Sequence, residues 1–316
     1  MKKWFHILLC GAMLLTMAAC GAAEETVAAP PAPEGVTFTD DLGRELTVAP
    51  PERTAVLIGS FADIWCLAGG NETLVAAADD TWTSFDLDLG PEVANLGGVK
   101  ETNMEALLAA DPDLVLASSN TAANVELLET FEKMEIPVAY FNVSSFDDYL
   151  RMLDICTRLT GHTENYQTYG TEVQAQVEAA KERVTGQAPT VLYVRATGVS
   201  CKVKNSWDSV LGEMLAELGC INIADSEDSL LENLSMETIV AADPDFIFAV
   251  LQGSDTGPAQ AMLEAELLSN PAWNGLTAVR EGRYHIMDSR LYNLKPNARW
   301  GEAYEKLADI LYPADK

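Results

Sequence analysis

Six basic side chains, Arg195, Lys202, Lys204, Arg290, Lys295 and Arg299, fall at the ends of predicted strands in the second half of the chain. The 316-residue chain carries 20 Lys and Arg against 48 Asp and Glu, a formal charge of −28, so such a grouping is chemically pointed. Guanidinium and ammonium groups hold carboxylates, phosphates and anionic metal chelates by charge-assisted bonds. The competing use is pairing with neighbouring acids such as Asp208 and Asp288, and acids are abundant here. A bare zinc or manganese ion would want several histidines and carboxylates. Past the first few residues only His162 and His285 remain, one at a helix end and one inside a strand, and both read as structural. Cys66 and Cys156 sit in apolar helical patterns as buried thiols. Cys201 and Cys220 flank one loop–helix unit; pairing is open to them, and free thiols are favoured. No CxxC pair is present. Asp79-Asp80 or Asp86 and Asp88 could be paired carboxylates for acid–base work. They share one loop without an evident partner and read as solvated acids. There is no Gly-x-Ser-x-Gly, P-loop, His-Glu-x-x-His or Gly-x-Gly-x-x-Gly, so a binding protein is expected rather than an enzyme. A purely structural surface protein is a third class, and it would show no ligand-dependent stability.

The elements that must position these residues are announced by a repeat. Asn103-Met-Glu-Ala-Leu-Leu-Ala-Ala-Asp111-Pro-Asp-Leu-Val-Leu-Ala117 returns as Ser235-Met-Glu-Thr-Ile-Val-Ala-Ala-Asp243-Pro-Asp-Phe-Ile-Phe-Ala249. Each copy reads as a capped short helix, a stop at Asp-Pro with the residue before proline pushed towards extended geometry, and a strand buried on both faces. Two copies at long separation imply two similarly built lobes rather than a solenoid. Around them, strands at 55–58, 74–77, 114–117, 138–141, 190–194 and 284–287 alternate with helices, which predicts an α/β fold of two Rossmann-like lobes with mostly parallel sheets. A hairpin, 36–40 with 45–48, opens the folded part, and a helix over 299–311 closes it. The polar stretch from Glu164 to Val184 predicts one long helix that bridges two bodies rather than filling a core. The organisation expected is an N-terminal lobe over 36–160, a linking helix over 161–187 and a C-terminal lobe over 188–316. Ligands of open α/β sheets lie outside the carboxyl ends of the strands. That rule selects Ser60 and Phe61; Asp80, Thr81, Trp82 and Thr83; Ser118, Ser119 and Asn120; the segment 195–207 with Arg195, Lys202, Lys204 and Trp207; Gln252, Gly253 and Ser254; and the segment 290–295 with Arg290, Tyr292, Asn293 and Lys295.

The start of the chain reads as a targeting segment. Lys2 and Lys3 precede an apolar run, Trp4 to Met17, too short for a lasting membrane span. Met17-Ala18-Ala19-Cys20 resembles the lipobox of bacterial lipoproteins, with Met17 where Leu is more usual. That resemblance makes residues 1–19 a signal peptide and Cys20 the lipidated anchor on the outer face of a cell membrane. The Ala-, Pro- and Glu-rich segment 20–35 reads as a flexible tether. Without residues 1–19 the chain holds 18 basic and 48 acidic residues, a charge of −30, which excludes nucleic acid as a partner.

Taken in order, Asp41-Leu-Gly-Arg-Glu-Leu-Thr-Val, Leu96-Gly-Gly before Asn-Met-Glu, both Asp-Pro-Asp units, Gly219-Cys-Ile-Asn222 and Pro271-Ala-Trp-Asn-Gly-Leu-Thr-Ala-Val279 before Gly282-Arg-Tyr carry a resemblance over 36–313. The chain resembles the substrate-binding lipoproteins of ABC importers for iron-siderophore complexes, cobalamin and haem. The resemblance implies two lobes joined by one rigid helix, a monomer with no cofactor, and a permease with its ATPase as partners. It also gives Glu105 and Glu237 a role, since one glutamate on each lobe of such proteins meets arginines of the permease. Each is equally a first-turn acid favoured by the helix dipole. Haem would want an axial ligand, for which Tyr292 is the candidate. Cobalamin binders of the family line the cleft with several aromatics, of which Trp82 alone stands in place, with Ser118 after its strand. A ferric chelate ranks first, a corrinoid or haem second.

Overall fold

The computed structural model describes residues 35–313 apart from 86, 208, 233 and 254. The expected signal peptide, Cys20, nearly all of the expected tether, and the acids Asp86 and Asp208 lie outside the described residues.

Among the described residues, twelve strands form three sheets. The hairpin of β1 (Val36–Thr39) and β2 (Glu45–Val48) is antiparallel. The N-terminal sheet runs β5-β4-β3-β6-β7, all parallel, from β3 (Thr54–Val56), β4 (Leu74–Ala77), β5 (Ala94–Asn95), β6 (Leu114–Ser118) and β7 (Val138–Phe141). The C-terminal sheet runs β10-β8-β11-β12 in parallel, from β8 (Thr190–Ala196), β10 (Ile221–Asn222), β11 (Phe246–Leu251) and β12 (Tyr284–Met287). In both, the chain builds outward from the first strand, then crosses to its other side. The order therefore reverses at β3/β6 and at β8/β11, which opens a crevice at each sheet's carboxyl edge.

The two-residue strands β5 and β10 are not among the predicted strands. Neither is β9 (Cys201–Lys204), which lies antiparallel on β8. Its burial alternates, with Cys201 and Val203 inward and Lys202 in solvent. That period of two is visible in Cys-Lys-Val-Lys and was the available signal.

The central strands are buried throughout, and alternate residues feed opposite faces. Val115, Ala117 and Tyr140 pack on one side of the N-terminal sheet, and Leu192, Val194 and Ile247 on one side of the other. The opposite faces share a single core. It runs from Phe61, Trp65 and Phe141 through Phe146 and Tyr149 to Trp300, Tyr304 and Phe248. Phe146 and Trp300 meet edge-on, ring centroids 5.9 Å apart.

Two helices and the joining segment make this shared core. Ser145 and Asp148 form a capping box at the start of the helix Phe146–Thr160, and Gly161 in the left-handed region (φ 79°) ends it. The joining helix differs from its prediction in two ways. It begins with a π turn, Gln167–Thr171, where the Tyr149 hydroxyl donates to the Tyr169 carbonyl at 2.8 Å, before the α-helix Glu172–Lys181. It also fills core, since Val173, Val177 and Ala180 are buried. The spacing i, i+4, i+7 gives a polar helix one apolar stripe. The closing helix Trp300–Leu311 packs on it with Gly301 against Gln176, where a Cβ would overlap.

The repeat folds as two equivalent units with one departure. Asp111 and Asp243 adopt left-handed φ of 47° and 40° rather than extended geometry before proline. Asp tolerates that region, and a left-handed residue closes a helix by bonding back to it. Asp243 is further fixed by accepting from the Thr277 N–H at 2.7 Å and its hydroxyl at 2.6 Å, which hold its carboxyl below the usual range. Cys66, Cys156, Cys201 and Cys220 are free thiols.

Candidate functional site

The carboxyl edges of the two sheets enclose three adjoining cavities with walls from both lobes. The largest, about 370 Å³, lies between Thr83 and Ser84 on one side and Gln252, Gly253, Thr256, Arg290 and Asn293 on the other. A second, about 180 Å³, sets Asp63, Ser84 and Phe85 against Arg290, Lys295 and Arg299. The third, about 60 Å³, is walled by Asn120 and Ser144 opposite Arg195, Ser209, Tyr292 and Lys295. Arg290 joins the first to the second, and Lys295 the second to the third.

Local structure explains these placements. β3 hands directly into the helix Gly59–Leu67, whose first N–H donates to Asp80 Oδ1 at 2.8 Å. A Cβ on Gly59 would lie 2.6 Å from the Thr81 nitrogen, so this close approach needs glycine. Asp80 is thus a structural clip rather than half of a catalytic pair. Burial raises its carboxyl from the usual 3.8 to about 6, the Gly59 N–H lowers it in part, and Asp79 raises it again. Across the cleft the Asn297 amide donates to the Ser60 carbonyl at 2.8 Å and to Asp63 Oδ2 at 2.7 Å, tying the closing segment to the first helix. Burial pushes the Asp63 carboxyl up, and the Asn297 bond offsets part of that.

Of the residues expected from the strand-end rule, Thr83, Asn120, Arg195, Gln252, Gly253, Arg290, Tyr292, Asn293 and Lys295 reach these walls. Ser254 lies outside the described residues, and the other named side chains do not reach them. Phe61 is fully buried and meets Phe141 edge-on at 6.4 Å. Ser60, Thr81 and Ser118 are buried beneath the surface, and Trp82 packs against the shared core. Ser119 is half-buried away from the cavities, Lys202 points to solvent from β9, Lys204 is half-buried, and Trp207 is 48% exposed. The rule locates the backbone correctly, but the pleat and the first helical turn decide which way each side chain turns. Tyr292 carries a correction too: its hydroxyl donates to the Ala303 carbonyl at 2.9 Å, so it is not a spare axial oxygen. Ser84, Phe85, Asp63 and Ser144 were missed as wall residues. Asp63 had a signal, an acid inside an otherwise apolar helix.

The cations of the cleft fall into distinct states. Arg299 is engaged by both oxygens of Glu302, at 2.7 and 3.0 Å. Arg195 and Lys295 form no hydrogen bond or ion pair among the described residues. Burial lowers the pKa of Lys295, Arg195 lowers it further, and Asp148 partly restores it. His162 pairs with Glu164 at 3.1 Å, and His285 stacks beside Phe248 with its ring centroid 5.7 Å away.

Away from the cleft, Glu105 and Glu237 are exposed in the first turns of the helices Met104–Ala109 and Met236–Ala242. Asn103 and Ser235 cap those helices through the N–H groups of Ala106 and Thr238. One turn on, Leu108 and Val240 are 41% and 42% exposed, so each lobe presents an acid beside an apolar side chain at the same place.

The profile of the family described as periplasmic binding protein matches residues 55–291. The chain belongs to the periplasmic binding protein family. A vitamin B12-binding protein of Vibrio campbellii is 26% identical over 208 residues, covering 63% of this chain and 71% of that one. The Fe(3+)-citrate-binding protein of Bacillus subtilis is 24% identical over 260 residues, covering 79% and 77%. Among solved structures, a periplasmic heme-binding protein of Roseiflexus sp. RS-1 in apo form superposes with a TM-score of 0.67 at 21% identity, over 83% of this chain and 98% of that one. These relatives of the present periplasmic binding protein are named for binding, not for catalysis. No helix among the described residues is long and apolar enough to cross a membrane.

Proposed function

We propose that this periplasmic binding protein captures an iron chelate of the ferric-siderophore type between its lobes and delivers it to an ABC permease and its ATPase. The observation that carries the reading is a two-lobed cleft whose C-terminal wall brings Arg195, Arg290 and Lys295 together in a chain of charge −28. A relative named for Fe(3+)-citrate supports the same class. A corrinoid is the second reading, supported by the relative named for vitamin B12. Haem ranks lower, because the Tyr292 hydroxyl is committed to Ala303.

In this reading Cys20 anchors the protein by lipid at the outer face of the membrane, and Glu105 and Glu237 meet cations of the permease. The deciding measurement is titration calorimetry with ferric citrate, a ferric trihydroxamate, cyanocobalamin and haemin. Binding of a ferric chelate with a corrinoid and haemin silent is expected; binding of cyanocobalamin alone overturns the iron assignment. Cys20→Ser is expected to shift the protein from the membrane to the soluble fraction. A mature N-terminus at any other residue removes the anchor.

A further inference from the structure

Cations in this chain find acids readily. Arg44 pairs with Asp40, Arg151 with Asp41, Lys181 with Glu217, Arg183 with Asp309 and Arg299 with Glu302. Arg195 and Lys295 do not, although both are half-buried on the wall of the same 60 Å³ cavity. Two like charges drawn close and partly out of water repel each other and lose hydration, so the arrangement is costly as it stands. Asp148, the acid nearest in effect, relieves it only in part. Its Oδ2 already accepts from the N–H groups of Ser144 and Ser145, each at 3.1 Å, and it forms no ion pair with either cation. The remaining polar wall, Asn120, Ser144 and Ser209, is neutral and able to donate. A cavity of about 60 Å³ suits one arm of a ligand rather than a whole chelate. The 370 Å³ cavity next to it has room for the larger body.

Resting on the ferric-chelate reading, we propose that Arg195 and Lys295 are an anion clamp that takes one ionised carboxylate arm of the chelate, while the metal-bearing body lies in the larger cavity. The chain then selects ferric chelates that keep a free carboxylate over neutral ones. Arg195 supplies a planar fork for two parallel bonds, and Lys295 a point charge that completes the neutralisation.

The test is calorimetry on the mature chain with ferric citrate and a neutral ferric trihydroxamate, for the wild type, Arg195→Gln, Lys295→Met, Lys295→Arg and Lys202→Gln. Arg195→Gln and Lys295→Met are each expected to weaken ferric citrate roughly ten- to a hundredfold and to leave the trihydroxamate unchanged. Lys295→Arg should recover most of the affinity, and Lys202→Gln, in solvent on β9, should have none of these effects. Wild-type affinity for ferric citrate should also fall with salt. Ferric citrate binding that ignores both charge removals or is indifferent to salt, or a preference for the neutral chelate, overturns the clamp and leaves iron capture standing. Silence towards both ferric chelates overturns iron capture itself. A misfolded variant, seen by circular dichroism, hands the decision to the salt series and to Lys295→Arg.

Discussion

The two lobes share a frame and differ at its rim. Asp113 of the first repeat accepts from the N–H groups of Glu52 and Arg53, at 2.8 and 3.0 Å, and so fixes the start of β3. Asp245 of the second accepts from the Thr190 N–H and hydroxyl, both at 2.9 Å, and fixes the start of β8. A second pair of clips lies nearer the cleft. Asp80 holds the Gly59 N–H, and Asp225 holds that of Ser206 at 2.9 Å. Duplication therefore preserved the contacts that set strand position. At the carboxyl edge the lobes diverge. The N-terminal wall offers Thr83, Ser84 and Asn120, neutral and small, with Asp63, whereas the C-terminal wall offers Arg195, Arg290 and Lys295. The frame can be read twice in the sequence because it is used twice, and the chemistry stands on one side only.

The largest effect expected concerns a feature that the lobes hold in common. Under the proposed function, Glu105→Arg with Glu237→Arg should abolish uptake while ligand affinity and folding stay at wild-type values. Each single reversal should fall between, because docking on two lobes loses half of its acid contacts. Transport that survives the double change removes the docking role.

The rim should respond unequally. Asn120→Ala, on the N-terminal wall, is expected to weaken a ferric carboxylate chelate by less than tenfold, the order of one neutral hydrogen bond. Arg195→Gln with Lys295→Met is expected to cost at least a hundredfold. Equal losses on the two sides, measured by calorimetry at one ionic strength, would contradict the asymmetry.

The clips at the strand starts are expected to matter for stability in both lobes, to different degrees. Asp245→Ala should cost about 2 kcal/mol and Asp113→Ala about 1 kcal/mol in urea unfolding, since the first removes bonds in a partly buried setting and the second in an exposed one. The reverse order would show that exposure does not set the difference.

Legibility follows the same division. β4 and β7 lie where the apolar runs between turn signals put them, because strands buried on both faces leave a continuous hydrophobic trace. β9 was missed because four residues with two lysines leave little trace beyond alternation. The π turn at Gln167–Thr171 accompanies a hydroxyl from another helix, and no local pattern encodes a contact of 20 residues' separation. At the site, the strand-end rule found the loops, and charge excess found the right wall. Neither could tell that Phe61 turns into the core, that Arg299 is already engaged by Glu302, or that Arg195 and Lys295 converge with no ion pair to an acid among the described residues.

The smallest predicted effect separates the inner clips. Burial raises the Asp80 carboxyl to about 6, above the 3.8 expected once the chain unfolds. The folded state therefore holds this proton up to about pH 6, while the unfolded state releases it near pH 4. A group shifted in this direction lowers stability as pH rises between those values, and the loss is complete above about pH 6. Asp80→Asn keeps an acceptor for the Gly59 N–H and removes the charge. Because Asp80 is only partly shielded from water, the gain at pH 7.5 should be about 1 kcal/mol, well short of the full shift, and a few degrees in melting temperature. The advantage should shrink through pH 6 and vanish near pH 4. Asp225→Asn, at the exposed counterpart in the other lobe, should give no gain at any pH, since there the charge costs little and only a charge-assisted bond to Ser206 is weakened. Melting curves of the two variants against wild type between pH 4 and pH 8 decide the matter. A constant advantage for Asp80→Asn across that range, or an equal one for Asp225→Asn, would mean that the gain comes from something other than a buried charge on the first lobe.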